Sequence, residues 1–239
     1  MFGNKQLKSP DADKVKTLKK WDARNKKRQL LIHTISINYG SSPLLTRPAR
    51  EVFKTWDVIS SSFIDLDAVL RGFRLGRGLT VRSQSGLFFE AGFVLDVPVQ
   101  NILGTFSNDI WFPNHAGVNT GTGKVYDRFS LADKIFEGKG KNKEIMAPGG
   151  YNQIQPPGKI LKKTNYQWHN EILLVGRPNI NTYQGLPPTS DIKIAGIFVA
   201  PKTIRATREM TIEANERLYK LVDRMKKCNP GIPVTDISR

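Results

Sequence analysis

Cysteine is almost absent from this chain. Cys228 is the only one in 239 residues, so no intrachain disulfide can form and folding needs no oxidising compartment. Histidine is nearly as scarce: His33, His115 and His169 are too scattered for a metal site readable from sequence, and no metal is expected. No stretch approaches the roughly 18 apolar residues that a membrane span requires. The N-terminus is basic, but no apolar segment follows closely enough for a signal peptide, so export would need another route.

Acidic residues are the other shortage. Against 37 Lys and Arg stand 21 Asp and Glu, for a formal net charge of +16 and a pI near 10.0. That imbalance points to nucleic acid, an anionic surface, an acidic partner protein, or a chain carried through a channel. Residues 1–28 hold ten Lys and Arg against three Asp, a net +7. Hydrophobic residues make up 39% of the chain, enough at this length for a substantial core.

Several catalytic signatures are missing too. "GVNTGTGKVY" looks like a phosphate loop but fails twice: Val118 stands where the first glycine belongs, and Val125 where Ser or Thr should follow Lys124. No G-x-G-x-x-G follows a strand, and no G-x-S-x-G elbow occurs.

The pattern of the chain predicts an α+β domain over residues 29–239 behind a basic helical extension, 1–28, docked by a thin stripe of Val15, Leu18 and Trp21. Ser9-Pro10-Asp11 resembles a helix start. Strands are expected at 29–37, 56–63, 171–176 and 191–200, with one or two more within 86–98. Short helices are expected at 48–54, 65–73 and 129–138, and a long amphipathic one over about 204–227. Residues 105–160 are otherwise rich in turn and linker chemistry.

What remains is a constellation of polar residues set against apolar strands. His33 lies on the first strand and Arg47 shortly after it, with Arg71 further on. Ser60-Ser61-Ser62 lead from a strand toward a helix. Glu171 then opens "EILLV" after the polar, aromatic "YQWHN". A carboxylate at the mouth of a buried strand is costly to desolvate, which favours a functional reading.

This order over residues 29–202 resembles the bacterial mono-ADP-ribosyltransferase toxins. Their pattern is a basic residue on the first strand, a Ser-x-Ser strand running into a helix, and a late catalytic glutamate. The resemblance implies two small packed β-sheets with flanking helices and NAD, as substrate, in the cleft between them. It makes Glu171 the catalytic carboxylate, with Ser60 or Ser62 orienting it and Arg47 or His33 anchoring NAD. Tyr151, Tyr166, Trp168 and His169 fall where the family recognises its target, and the three aromatics suit cover for the sheet equally well. The family commonly carries Gln or Glu two residues before the glutamate, whereas this chain has His169, which leaves the acceptor chemistry open.

The resemblance further implies a secreted or translocated effector acting in a target-cell cytoplasm on a macromolecule, most readily a protein. The basic charge and missing disulfide resemble cargo domains of Rhs and insecticidal Tc toxin complexes, delivered by other machinery or an encapsulating shell. From a different class, the Lys-rich N-terminal helix and the C-terminal helix suit a nucleic-acid-binding protein without enzymatic activity, or an inactive structural domain.

Overall fold

In a computed structural model, residues 12–23, 28–35, 42–74, 91–108, 110, 112, 149–164, 170–200 and 208–236 are described. The expected helix at 129–138 lies outside them, as do Tyr166, Trp168 and His169. The fold is α+β. Its strands are β1 (Gln29–Ile35), β2 (Ile59–Asp65), β3 (Ala91–Asp96), β4 (Ile102–Phe106), β5 (Glu171–Leu174), β6 (Lys193–Val199) and β7 (Val234–Asp236). The helices are α1 (Ala12–Lys19), α2 (Ala49–Phe53), α3 (Leu66–Arg74), α4 (Pro157–Lys163) and α5 (Arg208–Cys228).

The strands form one hydrogen-bonded series in the order β4-β5-β2-β1-β3-β6-β7. Two separate small sheets were expected, but here the two groups of strands are joined through β2. Its first half pairs with β5 (Ile59↔Leu174, Ser61↔Ile172) and its second half with β1 (Ser62↔Ile32, Asp65↔Gln29). Every pairing is antiparallel except β6 with β7, which α5 connects as a crossover.

Successive strand side chains point to opposite faces, so the alternation divides the molecule into two layers. One face carries Leu31 and Ile35, Ile59 and Phe63, Phe93, Ile172 and Ile197, and buries them against α1, α2, α4 and α5 in the main core. The other carries two smaller apolar groups. Val58, Leu103 and Leu173 pack with Phe112 and Tyr151, while Ile32, Ile64 and Phe198 pack with Leu66 and Leu70 of α3.

Three elements escape the sequence pattern. Pro156 and Pro157 read as linker but open α4, where a proline in the first turn sacrifices no helical hydrogen bond. β4 follows Pro98 closely and contains Gly104, an unpromising strand residue. That glycine is required by a close approach, since a Cβ there would lie 2.0 Å from the Tyr151 carbonyl oxygen. The segment after Tyr151 runs beside β4, with the Thr105 amide donating to Gln153 O at 2.8 Å and the Gln155 amide to Thr105 Oγ1 at 2.6 Å. β7 has only three residues, too few for a period to register.

Buried asparagines tie the loops to this frame. The fully buried Asn101 amide donates to the carbonyls of Val175 and Ser190, and its Oδ1 accepts from the Ser190 amide. At the end of α5, Asn229 Oδ1 accepts from Ala49 N at 2.8 Å and supplies the first turn of α2 with a cap from another element.

The basic N-terminal helix docks more deeply than a thin stripe suggests. Leu18 and Trp21 are both fully buried in the main core. Trp21 packs at a tilt against Phe63 of β2, 4.7 Å between ring centroids, and its Nε1–H donates to Gln155 O at 3.0 Å. The helix is thus built into the core of the strands that follow it. Trp21→Ala should cost about 3–5 kcal/mol of stability, the range for emptying a large aromatic site. Urea unfolding of the full chain checks this, and a loss below about 1 kcal/mol would contradict the packing described.

Candidate active site

β2 reads Val58, Ser60, Ser62, Ile64 on the face opposite the main core. The two serines interrupt an otherwise apolar row and separate the two smaller clusters. β5 brings Glu171 to the same face, in period with Leu173 and Val175. The carboxylate meets the serines there: Ser60 Oγ donates to Glu171 Oε1 at 2.8 Å, and the Ile110 amide donates to Oε2 at 2.9 Å. Glu171 is 1% exposed, while Ser60 is half-buried and Ser62 buried. Thr34 of β1, half-buried and paired with Gly92, follows on this face. Glu171, Ser60 and Ser62 are therefore brought together as expected.

Burying a carboxylate is costly unless its charge is met by hydrogen bonds. A hydroxyl and a backbone amide meet it here, and both also fix its rotamer. The middle serine serves the frame: Ser61 is buried, and its Oγ donates to Ile172 O at 2.8 Å.

His33 and Arg47 do not join this group. His33 pairs with Phe93 on the core face, with Phe53 and Trp56 edge-on to its ring at 5.4 Å each. Its Nδ1 lies 2.8 Å from Ser60 O, and because a carbonyl only accepts, Nδ1 carries the proton. Burial pushes its pKa below the usual histidine value, and the bond to Ser60 offsets this only partly. A half-buried imidazole kept neutral on the face opposite Glu171 is unsuited to anchor an anion beside that carboxylate. Arg47 is exposed in the turn before α2. The apolar residues flanking it (Leu44, Leu45, Ala49, Val52) belong to the main core, so it too sits on the far side of the sheet. Both were expected as NAD anchors because they lie near β1 in the chain, and chain order does not specify a face.

Arg71, the third cationic candidate, is on the Glu171 side. It is exposed on α3, whose Leu66 and Leu70 pack with Ile32, Ile64 and Phe198. Asp65 Oδ1 accepts from Ala68 N at 2.9 Å and so starts that helix where β2 ends. For Tyr151 the structure selects the second of the two readings, cover for the sheet. Its side chain is fully buried and edge-on to Phe112 at 5.1 Å.

Asn170 was missed. It is fully buried at the position opposite Phe63 in the β2–β5 register, and its side chain replaces a backbone pair. Oδ1 accepts from Phe63 N and Nδ2 donates to Phe63 O, both at 2.7 Å. The only signal in the sequence is a short amide immediately before a strand, which carries both a donor and an acceptor.

Among the described residues no cluster of His, Cys, Asp and Glu is grouped to hold a metal ion. No helix among them is long and apolar enough to cross a membrane. The chain matches no protein-family model, no curated protein and no solved structure.

The lowered His33 pKa sets a pH dependence. A histidine whose native pKa lies below its unfolded value contributes full stability above about pH 6.5, and loses it as pH falls from there toward the native value. Unfolding free energy should therefore decline on acidification by up to about 1.4 kcal/mol per pH unit from this group. Denaturant titrations at pH 7.5 and 5.5 should show a smaller decline in His33→Gln than in wild type. Equal declines would place the charged imidazole comfortably in the fold.

Proposed function

We propose that this protein is an NAD-dependent mono-ADP-ribosyltransferase that modifies a target-cell macromolecule, most readily a protein, after delivery by other machinery. The observation that carries this reading is the buried Glu171 carboxylate hydrogen-bonded by Ser60 of a Ser-x-Ser strand. Its surroundings fit a ribose, with the hydroxyls of Ser60, Ser62 and Thr34 following the carboxylate along one face.

In the proposed reaction the bond between nicotinamide nitrogen and ribose carbon breaks, and nicotinamide leaves with the electron pair. The acceptor's nucleophile then bonds to that carbon and gives up its proton. Positive charge develops on the ribose ring between these events, much as in glycoside cleavage. A fixed carboxylate at Glu171 stabilises that charge more than it stabilises the ground state, which lowers the barrier. Ser60 holds the carboxylate in place. Substrate enters from the side of Thr34 and Ser60, the half-buried members of the row. Arg71 is the proposed partner of the NAD diphosphate, since a guanidinium can fork onto anionic oxygens.

Exposed Lys16, Lys19 and Lys20 on the docked N-terminal helix give the molecule a basic surface for an acidic acceptor or shell. That attraction fades beyond about 8–10 Å at physiological salt.

Incubation with labelled NAD and cell lysate should transfer label to an acceptor. Glu171→Gln should reduce NAD cleavage by roughly a hundredfold or more, about 3 kcal/mol of transition-state stabilisation, with the fold intact. Wild-type turnover in that variant would remove the reading. Salt-sensitive nucleic-acid binding without NAD cleavage would instead favour a binding protein. Calorimetry with NAD should separate the two arginines. Arg71→Ala should weaken binding by about 2–3 kcal/mol, as for a lost charge-assisted contact, and Arg47→Ala should leave it unchanged. The reverse order would return the anchor to Arg47.

A further inference from the structure

Glu171 sits at the first position of a strand only four residues long, and that strand pairs with β2 through just three residue pairs. On its other side, β5 meets β4 across an irregularity between Ile102 and Gly104. So short a ladder specifies register weakly, and a slip of one residue would carry the carboxylate to the core face. Strand ends also fray, and the carboxylate is at the end.

Asn170 counters both effects. Its amide makes the two hydrogen bonds to Phe63 that a backbone partner continuing the ladder would make, and it makes them from inside the protein where no water competes. Phe63 is itself held from behind by Trp21 and through its pairing with Leu31 of β1. The clamp therefore ties the residue next to Glu171 to the best-supported position of β2. Ser61 adds a second tie one residue beyond Glu171, at Ile172 O.

We infer that Asn170 is a positioning residue, whose amide clamp on the Phe63 backbone sets the place and orientation of the Glu171 carboxylate opposite Ser60. This rests on the proposed NAD chemistry for its kinetic consequence alone. A carboxylate displaced by about 1 Å from the reacting carbon can cost on the order of a hundredfold in rate. Substrate binding by the hydroxyl row and by Arg71 does not depend on the clamp. The signature is accordingly a fall in kcat with KM for NAD retained.

The experiment compares wild type with Asn170→Ala, which removes both bonds, and Asn170→Asp, which has the same shape and keeps only the acceptor for Phe63 N. Each is made in the full chain with 13C-labelled glutamate, and the Glu171 carboxyl signal is assigned by its loss in Glu171→Gln. In folded Asn170→Ala, kcat should fall by about tenfold to a hundredfold while KM stays within about twofold. The Glu171 signal should move away from its wild-type position, and Asn170→Asp should fall between. Wild-type kcat together with an unmoved carboxyl signal would overturn the inference. Loss of the fold in both variants would overturn it as well, since Asn170 would then hold the sheet and not the carboxylate. If wild type cleaves no NAD, the functional reading fails. The carboxyl signal then decides the positioning role by itself, moved in its favour and unmoved against it.

Discussion

β2 belongs to two ladders at once, and the polar site exists because of where it changes from one to the other. Up to Ser61 its backbone is paired with β5, and from Ser62 onward with β1. At that handover, main-chain groups on one edge would face the interior without a strand partner, a costly state for buried amides and carbonyls. The Asn170 amide fills the vacancy at Phe63. The same seven residues supply both layers: Ile59, Ser61 and Phe63 go to the core, and Ser60, Ser62 and Ile64 to the other face. A one-residue shift of β2 would exchange the two sets and unmake both layers together.

Charge is distributed in a correspondingly uneven way. The chain is strongly cationic overall, yet among the described residues the buried side chains of the charged types, Glu171 and Asp57, are both acidic. Glu171 accepts from a hydroxyl and a backbone amide, which fix the direction of its carboxylate. Asp57 is handled differently: it is buried beside Arg177, which pairs with it directly across the end of β2. Asp57 is thus tied to the frame by a guanidinium, and Glu171 by a serine hydroxyl and a main-chain amide.

Much of this was legible in the sequence. The apolar runs at 29–37 and 171–176, and the Asp65 cap after β2, are local signals, and the elements stand within a few residues of where they were expected. Glu171 was visible because a charged residue directly before Ile172, Leu173 and Leu174 has no ordinary reason to be there. Ser60 and Ser62 were visible with it because period two ties them together. His33 falls on the face away from Glu171 because the facing of β1 depends on pairing register, which is not written in either strand alone, and Arg47 falls there because the turn before α2 docks on the core side. Trp21 was undervalued because a stripe of three apolar residues says nothing of how deep its partner cavity is. Asn170 left only the faint mark of a short amide before a strand, since its role is to stand in for backbone, a role defined only once β5 lies beside β2.

The position of β1 gives the molecule a mechanical direction. It is the first strand in the chain and also the fourth of seven in the sheet, with β4, β5 and β2 on one side and β3, β6 and β7 on the other. A force applied at the N-terminal end first draws Trp21 from behind Phe63 and then unzips the middle of the sheet, splitting it into two three-stranded remnants, neither with its core face covered as before. Force applied at the other end meets β7 first, a three-residue edge whose removal leaves the six other strands in register. A chain without disulfides has no covalent tie to mask that difference. Pulled N-terminus first, it therefore comes apart at its centre; pulled from the C-terminal end, it frays from an edge.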